Sequence, residues 1–358
     1  MERLVFYGKG GIGKSTISAN LAASLAGRGY RVLHVGCDPK HDSTVALMGG
    51  EMIPTVVDRR YRDVVAPEDI VSISATGVHC VEAGGPDAGV GCAGRGISRA
   101  LEVFNQANLL SPERYDVVTF DLLGDVVCGG FAAPLSQGMG EKVVIVSSEE
   151  VMSLYAANNI AKAIVTYASA GIVCAGILLN LRDADEDLEP VHRFAQLLNT
   201  RVIGVLRRDP QVREAELRRI TVVEHAPAGP FVAELGALGD TLLAIEPRQC
   251  PMPSPLSDRD FHAFSRHGFA APPGGHERTE WVGTAVGKAG ACGPPAEPPH
   301  PRQTPPAGDA LRQSYQRDLK AGIAAVRRGL VSSAEALERL QGTYPDFTCH
   351  LQRQDLET

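Results

Sequence analysis

The chain has 358 residues, 44% of them hydrophobic and 22% charged, with a formal net charge of −7. That size suits one large or two modest globular domains, and the acidic balance opposes a nucleic-acid surface, which needs a basic excess. No apolar run approaches the roughly 18 residues of a membrane span. Met1-Glu2-Arg3 leads straight into a strand-like run without a signal-peptide pattern, so a cytoplasmic location is expected, with no membrane contact.

In chain order, Leu4–Tyr7 is a short apolar run ending at glycine. Residues 15–28 carry Ile17, Leu21, Ala22 and Leu25 at helical spacing, and Gly29 stops them. Strands are predicted at Arg31–Val35, Val78–Val81, Asp116–Phe120, Lys142–Val146, Val173–Leu179 and Val202–Leu206. Helical segments near 95–109, 151–168, 187–199, 210–219 and 230–245 separate most of them. Strands alternating with helices of this length predict an α/β fold, a parallel sheet with helices on both faces. This domain is expected to span residues 1–246. Residues 247–308 are rich in proline and glycine and read as a mostly irregular linker. Residues 309–358 read as a short helical tail, with Leu311, Leu319, Ile323, Val326 and Leu330 on one side.

Gly8-Lys9-Gly10-Gly11-Ile12-Gly13-Lys14-Ser15 fits the G-x-x-x-x-G-K-S phosphate loop and lies between a predicted strand and a predicted helix, the P-loop NTPase context. Glycines let backbone N–H groups surround phosphate oxygens, Lys14 reaches the β and γ phosphates, and the Ser15 hydroxyl ligates Mg2+. Asp121 ends the apolar strand that begins at Tyr115, the usual place for a carboxylate holding magnesium through water. Asp38 and Asp42 follow the second strand four residues apart, one to orient a water and one to support the metal, or both as local turn caps. Only seven lysines occur, and Lys9, Lys14 and Lys40 fall in the first 40 residues. A second lysine inside the loop, Lys9, suits a nucleotide held on a facing subunit.

Eight cysteines occur, at 37, 80, 92, 128, 174, 250, 292 and 349, with no C-x-x-C pair. A local four-cysteine site is therefore excluded, and any cluster must gather ligands from distant segments or from two chains. Cys92 and Cys128 sit in glycine-rich segments that would let backbone amides approach a cluster's sulfides. Two cysteines are half of a 4Fe-4S ligand set, which a two-fold homodimer would complete. Buried, inert cysteine is the competing reading.

Several segments together resemble the nitrogenase iron protein family, which includes the ATP-binding subunits of the protochlorophyllide and chlorophyllide reductases. They are Tyr7 to Thr16, Gly36 to Lys40, Gly84 to Pro86, Gly89 to Gly96, Gly124 to Phe131 and Tyr155 to Asn159. The resemblance covers residues 1 to about 245. It implies a homodimer with one 4Fe-4S cluster, held by Cys92 and Cys128 of each chain. It also implies ATP and Mg2+ as cofactors, and single electrons passing from ferredoxin or flavodoxin to a heteromeric catalytic component. Lys9 matches the lysine that reaches across to the other subunit's nucleotide. Asp38 to Thr44 resembles a first switch and Asp121 to Cys128 a second, with Asp125 beside Asp121 near the γ phosphate. Thr16 and Lys40 fall within the matched nucleotide segments. Asn180 matches a position that reads the adenine base, with Glu216 nearby, and Arg95 matches an arginine that some members ADP-ribosylate.

The sequence is also a mosaic within that family. Arg207-Arg208-Asp209 replaces the usual Pro-Arg-Asp of nitrogenase proteins. His41 to Thr44 and Ala132 to Leu135 lean toward the tetrapyrrole reductases, whereas Gly91 to Gly96 and Tyr155 to Asn159 lean toward nitrogenase. The donor subunit of a tetrapyrrole or organosulfur reductase is thus an alternative. A partitioning-type ATPase without a cluster is the alternative from another class, opposed by the Cys92 and Cys128 segments.

Overall fold

The structure is a computed structural model that describes residues 1–38, 40–57, 66–85, 93–122, 140–183 and 186–267. Eight strands form one sheet: β1 Glu2–Tyr7, β2 Val32–Cys37, β3 Ser72–Ile73, β4 His79–Glu82, β5 Val117–Leu122, β6 Lys142–Ser147, β7 Val173–Asn180 and β8 Val202–Leu206. Their order is β3-β4-β2-β5-β1-β6-β7-β8, and every pairing is parallel except the short β3–β4 edge. The helices are α1 Lys14–Gly27, α2 Pro67–Ile70, α3 Ala93–Gln106, α4 Val151–Thr166, α5 Glu189–Leu197, α6 Pro210–Arg218, α7 Val222–His225, α8 Pro230–Ala244 and α9 Asp258–His267.

The central strands read as near-continuous apolar runs because both faces are covered. In β1, Leu4 and Phe6 pack on one face with Leu21 and Leu25 of α1 and Leu235, Leu238 and Leu242 of α8. Val5 and Tyr7 pack on the other with Leu101 and Phe104 of α3 and Leu154 and Ile164 of α4. The alternation follows from side chains pointing to opposite faces along a strand. β1 lies between β5 and β6, with β2 to β5 on one side and β6 to β8 on the other, so the strand order switches there, and the carboxyl end of β1 opens into a crevice.

The expected α/β architecture is present, with the helix and strand bounds close to those predicted. Besides α9, three elements are additional. β3 is two residues long, too short for any alternation to show. α2 and α7 are single turns, α7 being nucleated by a Thr221–Glu224 capping box.

The linker expectation is corrected over its first part. Residues 250–267 run back across α4 and α5, and α9 forms inside the span assigned to irregular chain. Asn158 of α4 explains the docking: its Nδ2 donates to Leu256 O at 2.9 Å and its Oδ1 accepts from Leu256 N at 2.8 Å. Phe261 is then fully buried, edge-on to Tyr155 and Phe194. Asn158, Tyr155 and Phe194 thus anchor a segment whose composition alone suggests disorder. The expected linker beyond 267 and the helical tail lie outside the described residues.

Candidate functional site

The loop joining β1 to α1 wraps the crevice at the switch point. Gly11 and Gly13 adopt left-handed φ of +71° and +100°, and Gly13 is the residue that starts α1. Gly8 lies so close to β6 that a Cβ would stand 2.2 Å from Val146 O, and a Cβ on Gly13 would meet Asn180 Nδ2 at 2.5 Å. The glycines are therefore fixed by backbone conformation and by close approach. Lys14 is buried at 7% exposure, with Nζ folded back to Lys9 O at 3.3 Å. Lys9 itself is half-buried at the loop's rim.

Around the loop lies a cleft of about 780 Å³ lined by Gly10, Gly11, Gly13, Lys14, Ser15 and Thr16 from the loop and α1. Asp38, Lys40 and Asp42 also line it, as do Asn180, Arg182, Arg207, Arg208, Asp209, Arg213 and Glu216. Of the lining cations, Lys14, Lys40, Arg182, Arg207, Arg208 and Arg213 outnumber the carboxylates Asp38, Asp42, Asp209 and Glu216. That surplus suits a polyanionic ligand such as a nucleotide phosphate chain.

The carboxylates divide by burial. Asp121, at the end of β5, is 2% exposed, and its Oδ2 accepts from Ser43 Oγ at 2.6 Å. Burial pushes its pKa up, while the Ser15 and Ser43 hydroxyls and the Lys14 ammonium oppose that. Its other oxygen, Oδ1, is buried without a partner. An orphaned carboxylate oxygen beside the Ser15 hydroxyl fits a hydrated Mg2+, which keeps waters and takes few protein ligands. Asp42 is exposed at the cleft. Asp38 is partly spent on its own turn, with Oδ1 accepting from Lys40 N at 2.9 Å and Lys40 Nζ 4.0 Å from Oδ2. Asn180 Nδ2 donates to Ile12 O at 2.7 Å, and Thr16 Oγ1 contacts Glu216 Oε1 at 3.4 Å. The structure thus brings Gly10, Gly11, Gly13, Lys14, Ser15, Thr16, Asp38, Lys40, Asp42, Asn180 and Glu216 to one cleft, while Gly8, Lys9 and Ile12 belong to the same loop and Asp121 is buried beside the Ser15 and Ser43 hydroxyls. Cys92, Cys128 and Asp125 lie outside the described residues, and so does the Arg95 side chain.

Several participants carry no signal in any motif. Arg182 donates to Gly11 O at 2.6 Å, while Glu149 Oε1 accepts from the backbone of Arg182 and Asp183, both at 2.9 Å. Glu82 is fully buried; its Oε1 accepts from Thr44 N at 2.8 Å, and burial pushes its carboxyl up to about 8, with Asp121 and Asp42 adding to the shift. His34 stands behind Ser43. Such residues act through tertiary proximity, which one sequence does not display.

Among solved structures, the chain is similar to the cell division ATPase MinD of Pyrococcus furiosus, with 22% identity, a TM-score of 0.54, and coverage of 68% of this chain and 99% of that one. A Mg-ADP complex of the septum site-determining protein MinD from Pyrococcus horikoshii gives the same identity and TM-score over 67% and 95%. These likenesses establish the fold alone. In sequence, the chain is 42% identical to a nitrogenase iron protein of Methanospirillum hungatei over 272 residues, covering 74% of this chain and 95% of the relative. It is 43% identical to a nitrogenase iron protein of Methanococcus voltae over 264 residues, covering 72% and 94%. The profile described as "4Fe-4S iron sulfur cluster binding proteins, NifH/frxC family" matches residues 2–267, from the first strand to the last residue of α9. With the phosphate loop, the buried Asp121 and the docked α9 all inside that span, the chain belongs to the NifH/frxC family of iron–sulfur cluster binding proteins.

Proposed function

We propose that the protein is the ATP-dependent electron-donor component of a nitrogenase-type reductase, active in the cytoplasm as a homodimer. The observation that carries this reading is the family match over residues 2–267, in a chain whose phosphate loop and Ser15 line one cleft, with buried Asp121 beside the Ser15 hydroxyl. When bound, a 4Fe-4S cluster supplies one-electron storage, and Cys92 and Cys128 of each chain are the residues assigned to hold it.

The chain's own residues account for the nucleotide chemistry. The loop amides from Gly10 to Ser15 bind the α and β phosphates, and Lys14 neutralises charge at the β and γ positions. Ser15 and Asp121 would hold hydrated magnesium, with Asp42 a further carboxylate on the cleft wall to support it, and the ion would neutralise phosphate charge. Asp38 orients the attacking water and Lys9 reaches the nucleotide of the facing subunit. Thr16, Lys40, Asn180 and Glu216 complete the nucleotide wall. Asp121 begins the segment that leads through Asp125 to Cys128, so a change at the γ phosphate is transmitted along one continuous stretch of chain. Ferredoxin or flavodoxin re-reduces the protein, and a heteromeric catalytic component receives the electron.

Trapping the acceptor tests the reading. Tagged, cluster-loaded protein is incubated anaerobically with native extract, MgADP and a phosphate mimic, and the retained component is analysed for metals and pigment. Molybdenum or vanadium assigns nitrogenase, whereas iron with bound pigment assigns a tetrapyrrole reductase. Retention of nothing by a competent dimer contradicts the two-component reading.

A further inference from the structure

His34 lies in the middle of β2, fully buried, in a strand whose Val32, Leu33, Val35 and Cys37 are all buried and apolar. A polar ring there is costly unless both nitrogens are partnered. Both are. Nδ1 is 2.8 Å from Oγ1 of Thr119, its register partner on β5, and Nε2 is 3.0 Å from Ser43 Oγ.

Donor accounting fixes the roles. A hydroxyl has one proton, and that of Ser43 goes to Asp121 Oδ2 at 2.6 Å. Nε2 can therefore bond to Ser43 only as an N–H donor, which leaves Nδ1 bare to accept from Thr119. Among the described residues, the Thr119 hydroxyl has one other acceptor in this network, Leu33 O, at a longer 3.4 Å. Burial holds the ring neutral, lowering its pKa to about 4, as a single N–H requires. A directed chain runs from Thr119 through His34 and Ser43 to the carboxylate.

We propose that His34 is a positioning residue for the phosphate site: its Nε2–H locks the Ser43 hydroxyl onto Asp121 Oδ2, clamping the Asp38–Thr44 segment to the end of β5. Oδ1 is then the oxygen left for the magnesium shell, matching its lack of a partner. Any displacement of Asp121 passes through Ser43 to the segment that carries Asp38, Lys40 and Asp42. The inference rests on the nucleotide-site reading above, and it adds a residue that the phosphate loop does not itself need.

The test uses His34→Leu, which fills the space without a donor, His34→Gln, whose amide restores one at a similar reach, and Ser43→Ala. ATP affinity is measured by calorimetry with and without Mg2+. His34→Leu is expected to keep its magnesium-free affinity within about twofold and to lose about fivefold to tenfold of the gain that Mg2+ confers, the worth of one hydrogen bond. His34→Gln is expected to recover most of that gain, and His34→Leu combined with Ser43→Ala to match Ser43→Ala alone. Equal losses with and without Mg2+, or a His34→Gln variant as impaired as His34→Leu, overturn the clamp. Independently of nucleotide, 15N-histidine NMR of the wild-type protein is expected to show His34 protonated on Nε2 and bare on Nδ1, with a shift in Ser43→Ala. The opposite tautomer overturns the proposal even if every variant fails to fold. Wild-type protein that binds no ATP would sink the functional reading, and the tautomer would still decide the clamp.

Discussion

Asn180, the last residue of β7, donates its side-chain amide to the Ile12 carbonyl at 2.7 Å, with Nδ2 standing where a Cβ on Gly13 would go. One hydrogen bond thus ties the phosphate loop to a strand two positions away in the sheet. Asn180→Ala is expected to weaken ATP binding about threefold to tenfold by freeing the loop, with little change in unfolding midpoint. Gly13→Ala adds left-handed strain, about 1–2 kcal/mol, to a collision with that amide, and is expected to be the more damaging of the two. Calorimetric affinities of the two variants check the order; an unaffected Gly13→Ala protein contradicts it.

Lys14 is buried with its ammonium folded onto the Lys9 carbonyl, ready to turn toward phosphate. Lys14→Ala is expected to lower ATP affinity about 10-fold to 100-fold, the worth of a charge-assisted hydrogen bond, while the chain stays folded and retains its cluster. Circular dichroism, iron content and ATP titration of that variant are the measurements. Wild-type ATP response in Lys14→Ala would refute the phosphate-site assignment.

Two buried groups give the apoprotein opposed pH dependences. Burial lowers His34 from 6.5 to about 4, so the folded protein holds it neutral where the unfolded chain would protonate it. Stability from this group is complete above 6.5 and is lost as pH falls toward 4. Burial raises Glu82 from 4.5 to about 8, so the folded protein keeps a proton that the unfolded chain has released. Stability from Glu82 is complete below 4.5 and is lost as pH rises toward 8. In nucleotide-free, magnesium-free buffer, Glu82→Gln is expected to flatten the decline in denaturation midpoint between about pH 6.5 and 8, a window set by these two groups. Identical slopes in variant and wild type would show that Glu82 ionises in the fold.

Much of this architecture was legible in the sequence because it repeats simple signals. The strand run at 4–7 is apolar throughout, that at 142–146 is so apart from Lys142, and Gly8 to Ser15 carries a motif whose placement dictates its geometry. What escaped depends on pairing at a distance. Phe261 looks unremarkable in a proline-rich stretch until Asn158 clasps Leu256 and Tyr155 offers its ring. His34 reads as an odd residue in an apolar strand until Thr119 and Ser43 arrive at its two nitrogens. Periodicity reports one element's faces and says nothing of which polar atoms meet across them.

Anaerobic iron and sulfide analysis with native mass measurement tests most directly whether the protein is an ATP-responsive iron–sulfur protein with the cluster shared between two chains. The account predicts a brown dimer with absorbance near roughly 400 nm and one four-iron cluster per two chains, the arrangement of half a ligand set per subunit. Cys92→Ala is predicted to give a colourless protein that still folds and binds ATP. A wild-type protein that stays iron-free after anaerobic reconstitution, or a Cys92→Ala variant with a full cluster, would contradict it.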